Sequence, residues 1–456
     1  MTAVFWFRRD LRLQDNEALT AAFDSAPDGV VAVFMFNEPD YQELEGIRQH
    51  SLTESLRSLS GDINGQLNIV SVKSASEFAE RLIQLCQSCQ ISKVFAMQSF
   101  DPKGVSEQKL VLEALKVESI ELQLIGSAYA VLPGTVSKPD GENYRVYTPF
   151  FKAWSQLADV VPKSLPSKPK WLAIDETTQI PTPSKPSPLK VVAGEAFALR
   201  TFERFIDRAL DNYDEDRNRA DLSGTAHLSH ALAHGEIHPR TLLARLGDSK
   251  GHEVFRKEIA WREFYADVLF HYPHTVDDYY EPRFKKLRYD TGAVADKRFD
   301  AWCKGETGYP MVDAGMRQLL AEGWMHNRVR MIVASFLVKD LHIEWTRGAE
   351  HFEAHLSDFD PASNSHGWQW TAGCGTDASP YYRIFNPILQ GLKFDPEGDY
   401  VRKYIPELRH LPGSSAHEPW ELFDGYANGY PEQIVDHAQE RNESLARLEE
   451  LKNLIS

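Results

Sequence analysis

Residues 29–36 read GVVAVFMF, and this short apolar run indicates the fold of the first part of the chain. Similar runs occur at residues 3–7, 67–72, 93–97 and 121–125. Helical stretches such as residues 48–59 and 76–89 separate them. Short apolar strands that alternate with amphipathic helices predict a parallel, Rossmann-like sheet covered by helices on both faces. No Gly-x-Gly-x-x-Gly follows the first strand, so a dinucleotide site of that type is not expected here.

The rest of the chain changes in character. Residues 160–190 are rich in Pro, Ser and Lys, a composition typical of a linker or of a long extended connection. After about residue 195, strand-like runs nearly vanish and helical periodicity dominates. We therefore predict an α/β domain at residues 1–130, a linker at residues 131–195 and a large all-α domain at residues 196–456.

The composition excludes several classes of protein. The chain has 456 residues, of which 42% are hydrophobic and 25% are charged, as in an ordinary folded protein. Its formal net charge of −16 argues against a broad basic surface for nucleic acid, so phosphate recognition would need a local patch. The cysteines are too few for a disulfide framework, and their spacing gives no structural zinc site, so no metal is expected.

The sequence also carries no sign of a membrane protein or of export. Residues 1–10 bring charges at Arg8, Arg9 and Asp10 after a short apolar run, which is unlike a signal peptide. No run reaches the roughly 18 apolar residues of a membrane span. We therefore expect a soluble, cytoplasmic protein.

Two stretches early in the helical part suit ligand binding. Residues 213–229 (YDEDRNRADLSGTAHLS) place arginines before a polar turn that opens a helix, which suits either an anion site or an ordinary capped helix. In residues 258–264 (EIAWREF), Glu258, Trp261 and Arg262 share one helical face. That set suits a flat, hydrogen-bonding ligand such as a nucleobase; the alternative is a surface Glu–Arg pair with a core tryptophan.

Two later stretches are equally unusual. Residues 323–330 (GWMHNRVR) lead into an apolar helix, where arginines are costly unless paired, and Asp358 and Asp360 offer partners. The alternative there is an ordinary basic helix start. Residues 358–387 (DFDPASNSHGWQWTAGCGTDASPYYRIFNP) are rich in Gly yet dense in Trp, Tyr, Asn and Asp. Such a segment lets the backbone approach a large planar ligand, or forms an irregular core segment.

Taken together, these stretches resemble the DNA photolyase and cryptochrome family. Residues 5–16 (FWFRRDLRLQDN), 147–154 (YTPFFKAW) and 307–317 (TGYPMVDAGMR) match further family blocks, so the resemblance covers almost the whole chain. It is strongest to class I-type deoxyribodipyrimidine photo-lyases. It implies a carbon–carbon lyase that splits cyclobutane pyrimidine dimers in DNA by electron transfer from photoexcited, fully reduced FAD.

The resemblance implies an FAD site in the helical domain. The matching residues are Tyr213, Thr225, Ala226, His227, Leu228, Ser229, Arg330, Asp358, Phe359, Asp360 and Asn364. Among them Arg330 matches the partner of Asp358, and Asn364 matches the residue that faces the flavin N5. The family commonly has Ser and Arg where this chain has Ala226 and His227, so one phosphate contact departs from the pattern.

The resemblance also implies a cavity for a flipped-out dimer and contacts to DNA phosphates. The catalytic set is Glu258, Trp261, Asn327, Asn364 and Met331. The DNA-binding set is Arg217, Glu258, Trp261, Arg262, Asn327, Arg328 and Arg383.

Two features of the family need separate comment in this chain: the tryptophans of the electron-transfer chain and the antenna chromophore. Trp368 and Trp345 match the first two members of the family's electron-transfer chain of three tryptophans, whereas the third position matches Gly292, so Tyr289 or Trp302 would have to substitute. The family often binds an antenna, either folate or deazaflavin. The folate-contacting pattern is not evident at residues 100–107 (FDPKGVSE), so the antenna stays open.

The main competing function is a cryptochrome-type blue-light receptor. Asn364 favours repair, because plant-type cryptochromes carry Asp there, and the chain ends at Ser456 soon after the last family block. Two features argue against repair: the net negative charge of the chain, and Gly292 at the position of the family's third tryptophan. Repair of (6-4) photoproducts would call for a pair of histidines where Asn327 and Met331 stand. We expect a monomer that acts on dimer-containing DNA and does not engage a membrane.

Overall fold

The structure, a computed structural model, describes residues 1–158, 160–165, 169–174, 179–377 and 382–454. Its strands are β1 Thr2–Phe7, β2 Gly29–Asn37, β3 Leu67–Val72, β4 Lys93–Ala96 and β5 Glu121–Leu124. They form one parallel sheet in the order β3-β2-β1-β4-β5. The predicted parallel sheet is confirmed.

Helices separate and follow these strands, and in the described part of the chain after β5 the regular elements are helices. In chain order they are α1 Glu17–Ser25, α2 Glu38–Glu43, α3 Gly46–Asp62, α4 Ala75–Ser88, α5 Pro102–Val117, α6 Tyr147–Leu157, α7 Glu195–Arg208, α8 Tyr213–Asp216, α9 Ser229–His234, α10 Pro239–Leu243, α11 Lys250–His271, α12 Ala293–Lys304, α13 Pro310–Glu322, α14 Asn327–Lys339, α15 Trp345–His355, α16 Pro361–Ala372, α17 Pro387–Phe394, α18 Asp399–Tyr404 and α19 His437–Asn453. Within the described ranges, none of them has both the length and the apolar character that crossing a bilayer requires.

Contacts within the chain divide it into two compact units. Unit 1 is Met1–Asp211 with Ala226–Pro273, and unit 2 is Asn212–Thr225 with His274–Ser456. The predicted boundaries near residues 130 and 195 describe a different division, and they stay a prediction.

The sheet of unit 1 is buried on both faces. Phe5 and Phe7 of β1 pack into one apolar cluster, whereas Val4 and Trp6 of the same strand pack into another. Successive side chains of a strand point to opposite faces, so both faces of this central strand carry core residues. Burial on both faces explains why these strands read as continuous apolar runs rather than as alternating ones.

Two arginines, the buried Arg12 and the partly exposed Arg9, fix the segment after β1 to α9. The Arg12 guanidinium donates to the carbonyl oxygens of Asp15 (2.9 Å) and Gly235 (2.9 Å), and Arg9 Nε donates to the Ala233 carbonyl at 3.0 Å. Gly235 has φ +69°, and a Cβ there would lie 2.0 Å from the Arg9 carbonyl oxygen. These contacts hold the end of α9 and therefore position the turn that precedes it.

A buried carboxylate fixes α11 in unit 1. Glu263 accepts hydrogen bonds from the backbone N–H of Ala130 (2.6 Å) and of Val131 (3.0 Å) and from Trp154 Nε1 (2.6 Å). Burial raises the pKa of Glu263, and the three donors oppose that rise. The contacts hold residues 130–131 and α6 against the helix that carries Glu258 and Trp261.

Unit 2 has a helical core around α13, α14 and α16. Gly315 of α13 allows a close approach to α14, because a Cβ there would lie 2.4 Å from Val329 Cγ1. The turn before α13 is held by Asp313, which accepts from the backbone N–H of Thr307 (2.8 Å) and of Gly308 (3.0 Å). The helices that carry the candidate flavin residues therefore rest on a rigid core.

We predict that Glu263→Ala destabilises unit 1, because it leaves three buried donors without an acceptor. The expected loss in the free energy of unfolding is about 3 kcal/mol, measured by urea denaturation together with hydrogen exchange of α11. Glu253→Ala is the control, because Glu253 lies on the same helix in an exposed pair with Lys257, and its stability should match wild type. An alanine variant at position 263 as stable as wild type would contradict the anchoring role.

Candidate functional site

The second sequence stretch lies on α11, with Glu258 and Trp261 both half-buried. The Trp261 indole stacks face to face on Tyr147, with ring centroids 3.7 Å apart and planes 8° from parallel. Tyr147 is itself fixed, since its hydroxyl donates to the Lys257 carbonyl at 2.7 Å. One face of Trp261 is therefore covered by a fixed ring, and a planar ligand would meet the other face or the edge.

Arg262 turns to the interior of unit 1. Its guanidinium donates to the carbonyl oxygens of Ala128 (2.9 Å) and Leu232 (3.3 Å) and lies 4.5 Å from the centroid of the Tyr129 ring. These contacts join α11 to two neighbouring segments. They give Arg262 a packing role, and its contact with DNA stays a prediction.

The first stretch crosses the boundary between the units, with residues 213–225 in unit 2 and residues 226–229 in unit 1. In unit 2, Tyr213 is buried, and the Arg217 guanidinium lies 5.7 Å from the centroid of its ring. Thr225, at the end of this segment, is half-buried.

In unit 1, the residues that continue the turn alternate in exposure. Ala226 and Leu228 are buried, whereas His227 and Ser229 are exposed. His227 has φ +50°, a left-handed conformation that is uncommon for a residue with a side chain. Ser229 begins α9. The turn thus presents one imidazole and one hydroxyl to the solvent side.

An ion pair in unit 2 joins the third and fourth stretches. Arg330 Nη2 lies 2.7 Å from Asp358 Oδ2, and Arg330 Nε donates to the Met325 carbonyl at 2.8 Å. The Asp358 side chain is almost fully buried, and its other oxygen, Oδ1, has no hydrogen-bond partner within the described part of the chain. Phe359 packs against the core beside it. The pair therefore ends in a buried acceptor that is still available.

The neighbouring helix α16 aligns the remaining candidates. Asp360 caps it by accepting from the Ser363 N–H at 2.9 Å, and Asn364 Nδ2 donates to the Ala349 carbonyl at 3.1 Å. Asn364 and Trp368 are four residues apart and therefore lie on one face of the helix.

These residues fit a flavin. A buried carboxylate oxygen without a donor costs about 1–3 kcal/mol, and an N–H group of a bound ligand would remove that cost. The flavin ring carries such a donor together with carbonyl acceptors, and Asp358 and Arg330 offer the matching groups. Among the described residues, no three His, Cys, Asp or Glu side chains are arranged to hold a metal ion.

The predicted DNA-binding residues of unit 2 differ in how firmly they are held. Arg328 Nη2 donates to Asn218 Oδ1 at 2.7 Å, and its guanidinium lies 4.6 Å from the centroid of the Phe394 ring. Asn327 and Arg383 are exposed, and Met331 is half-buried. Arg383 lies two positions after residues 378–381, which are outside the described chain.

The predicted electron-transfer residues are both buried in unit 2. Trp345 begins α15 with no exposed surface, and Trp368 of α16 is 3% exposed. A Cβ at Gly348 would lie 2.2 Å from Trp368 Cη2, so the absence of a side chain there lets the Trp368 ring touch α15. Gly348 is one helical turn from Trp345, on the same face.

Sequence reasoning missed two residues that shape these sites. Tyr147 lies in the quoted block at residues 147–154, but its stacking on Trp261 joins positions more than 100 residues apart. Asn218, the partner of Arg328, also lies in a quoted stretch without having been singled out. In each case the residue stood in a stretch that the sequence analysis quoted. Its contact could not be predicted, because no local sequence pattern encodes a pairing between distant segments.

Known proteins match almost the whole chain. Residues 3–170 match the family model described as DNA photolyase, and residues 255–450 match the one described as FAD binding domain of DNA photolyase. The deoxyribodipyrimidine photo-lyase of Agrobacterium fabrum is 39% identical over 97% of this chain and 96% of its own.

Solved structures agree with these matches. A bacterial class III photolyase from Agrobacterium tumefaciens has a TM-score of 0.90 at 36% identity, covering 99% of this chain and 98% of its own. A Synechocystis cryptochrome has a TM-score of 0.86 at 26% identity, covering 98% of each chain. The class I detail of the sequence-based expectation is not confirmed, because the similar structure is described as class III.

We predict that Asp358→Ala weakens FAD binding, because it removes the buried acceptor and leaves Arg330 without its partner. A hydrogen bond to a charged group is worth about 1.5–3 kcal/mol, so the dissociation constant should rise at least about tenfold. FAD per protein after gel filtration, read from flavin absorbance, measures the loss. Asp399→Ala, which breaks the Arg402–Asp399 pair of an exposed carboxylate, should leave FAD content unchanged. Full FAD content in the Asp358 variant would remove this residue from the site.

Proposed function

The chain belongs to the DNA photolyase family, and we propose that it splits cyclobutane pyrimidine dimers in DNA with an electron from light-excited, fully reduced FAD. The observation that carries the proposal is the ion pair of Arg330 with the buried Asp358, whose Oδ1 is still available, next to the helix α16 that bears Asn364 and Trp368. Its chemistry suits a flavin in a helical site, and the matches to photo-lyases extend over almost the whole chain.

In this proposal the chain's own residues bind the cofactor and exclude water from it. When bound, reduced and illuminated, FAD supplies the electron, and the protein supplies binding, orientation and electrostatics. Asp358 would accept a hydrogen bond from the flavin, and Arg330 orients that carboxylate. Asn364 would offer its amide to the ring. Tyr213, Thr225 and the turn at residues 226–229 are assigned to the phosphates by resemblance alone.

On the DNA side, Trp261 and Glu258 of α11 engage the dimer. A flipped-out base needs an aromatic surface to stack on and a polar group to read its edge. Tyr147 holds the Trp261 ring in one orientation, so the indole is ready for stacking without further ordering. Glu258 hydrogen-bonds the pyrimidine and stabilises charge that develops after electron transfer. The roles of Asn327 and Met331 at the dimer stay predictions from the resemblance.

A few arginines supply the electrostatic part of DNA binding. Arg383 is exposed, and Arg217 and Arg328 are partly exposed. Their small number agrees with the net charge of −16, which leaves phosphate recognition to a local patch. The monomeric state, the cytoplasmic location and an antenna of folate or deazaflavin type stay predictions.

The deciding experiment illuminates the purified, chemically reduced protein with an oligonucleotide that contains one cyclobutane thymine dimer. Loss of the dimer, followed by chromatography and absent in the dark, is the expected result. A wild type that repairs nothing under these conditions would favour the cryptochrome-type receptor. Repair of a (6-4) photoproduct in place of the cyclobutane dimer would replace the proposed substrate.

We predict that Glu258→Ala lowers the quantum yield of dimer repair several-fold and weakens binding of dimer-containing DNA. The reason is that the dimer loses a hydrogen-bond partner that acts as charge develops. FAD content should match wild type. Glu253→Ala, with a change of the same size on the same helix, should repair as wild type does. Unchanged repair in the Glu258 variant would exclude this residue from the mechanism.

We predict that Arg383→Ala weakens binding to damaged and undamaged duplexes by similar factors. Each phosphate contact contributes about 0.9 to the slope of log affinity against log salt, so the slope should fall by about 1. Fluorescence anisotropy at several salt concentrations measures both effects. The control is Arg81→Ala, since Arg81 is an exposed arginine paired with Glu77 on α4. A slope equal to that of wild type would show that Arg383 does not contact the backbone.

A further inference from the structure

Among the described residues, Tyr279 is an oxidisable neighbour of Trp345 that also has polar partners. The ring of Tyr279 meets the indole edge to face, with centroids 5.8 Å apart and planes at 86°. Tyr279 is 3% exposed. Trp345 Nε1 is buried and has no hydrogen-bond partner in the described part of the chain, so no protein base stands ready to take a proton from this indole.

The Tyr279 hydroxyl belongs to a short polar chain. It donates to Glu344 Oε1 at 2.8 Å, and the Tyr289 hydroxyl oxygen lies 3.2 Å away. A phenol carries one hydrogen, so when Tyr279 gives its own to Glu344, the hydrogen between the two tyrosines comes from Tyr289. Tyr289 is partly exposed, so the chain runs from the buried indole to solvent.

Glu344 is well placed as a proton acceptor. It is the N-cap residue of α15, directly before Trp345, yet its side chain makes no capping hydrogen bond. Its carboxylate is therefore available to the phenol, within the 2.6–3.2 Å range over which general bases act. Burial raises the pKa values of Tyr279 and Tyr289, so both phenols are protonated at neutral pH.

The other candidate route for the electron runs through Trp302, and it does not end at a phenol paired with a carboxylate. The Trp302 ring lies 6.1 Å from Trp368, but it is fully buried, and its Nε1 donates to the Val333 carbonyl at 3.0 Å. A backbone carbonyl does not take up a proton. The rings stacked on Trp302 are Phe299 and Phe352, which carry no ionisable group and resist oxidation. His351 meets the indole edge to face with centroids 5.6 Å apart, and an imidazole is harder to oxidise than an indole.

We propose that Tyr279 is the terminal electron donor of this chain, in place of a tryptophan at the position of Gly292, with Glu344 as the acceptor of its proton. The proposal rests on the proposed function, since photoexcited, oxidised FAD is the oxidant that first draws an electron from Trp368. Trp345 gives one electron to the oxidised Trp368 indole, and Tyr279 then gives one electron to the oxidised Trp345 indole.

The atoms and electrons of the last step balance. The O–H bond of Tyr279 breaks, a carboxyl O–H bond forms on Glu344, and a neutral tyrosyl radical remains. A thiol added to the solution returns one electron, and the proton moves back from Glu344 to the phenolic oxygen. Because an oxidised phenol is a strong acid, a base within hydrogen-bond reach lowers the cost of the transfer.

The test measures the rate of light-driven reduction of the bound, oxidised FAD in the presence of a thiol. Tyr279→Phe should slow it at least about tenfold, equivalent to about 1.4 kcal/mol, and Glu344→Gln should slow it in the same direction. Trp302→Phe is the matched control and should stay within about twofold of wild type. FAD content and melting temperature show whether each variant is folded.

Radical identity gives a second readout that does not depend on rate. Electron paramagnetic resonance of the illuminated, frozen wild type should show a tyrosyl radical that responds to ring-deuterated tyrosine. Tyr279→Phe should show a tryptophan radical instead. Deuterated solvent should slow the wild type but not Tyr279→Phe.

Two results would overturn the proposal: wild-type photoreduction in Tyr279→Phe, or a larger effect of Trp302→Phe than of Tyr279→Phe. Failure of the proposed function gives a different result. A wild type that photoreduces its FAD yet repairs no dimer when chemically reduced would refute repair and leave the tyrosine route standing.

Discussion

Buried carboxylates that accept hydrogen bonds from backbone amides are the interaction on which both units depend. Backbone N–H groups of irregular segments need partners once they are removed from water. In this chain one buried carboxylate accepts hydrogen bonds from two such backbone N–H groups. The pairs are Glu195 with Leu13 and Gln14, Glu263 with Ala130 and Val131, Asp313 with Thr307 and Gly308, and Asp395 with Tyr400 and Val401. Burial raises the pKa of each acid, to about 6 for Asp395, and the amide donors offset part of that cost.

This constraint determines where the functional helices lie. Asp313 fixes the turn before α13, α13 packs closely on α14 through Gly315, and α14 carries Arg330. Glu263 fixes α11, which carries Trp261. Apolar packing alone would allow these helices to slide or rotate, whereas hydrogen bonds to a buried charge act at one position only. The geometry of the residues proposed for flavin and dimer binding, within each unit, thus depends on polar contacts made several residues away.

The same physics explains what the sequence revealed and what it concealed. Residues 29–36 predicted β2 almost to its ends, because burial on both faces leaves an uninterrupted apolar run. The cost of buried charge pointed to a partner for Arg330 among the acids at 358 and 360, and Asp358 is that partner. Helical periodicity placed Glu258, Trp261 and Arg262 on one helix. It gave no information on the inward turn of Arg262 or on the Tyr147 stack, because both depend on segments distant in sequence.

Unsatisfied polar atoms distinguish the tryptophans that we propose for electron transfer in unit 2 from a structural one. Trp302 has its indole N–H bonded to a carbonyl, as a buried core tryptophan normally does. Trp345 and Trp368 both keep an unpartnered Nε1 among the described residues, and Asp358 keeps an unpartnered Oδ1. Each such atom costs about 1–3 kcal/mol, and a fold selected for stability alone would remove it. An indole without a base nearby retains its proton when it is oxidised and stays a strong oxidant for the next donor. The unpaired indoles are therefore suited to passing an electron, and in the proposed route the proton is transferred where a phenol and a carboxylate meet.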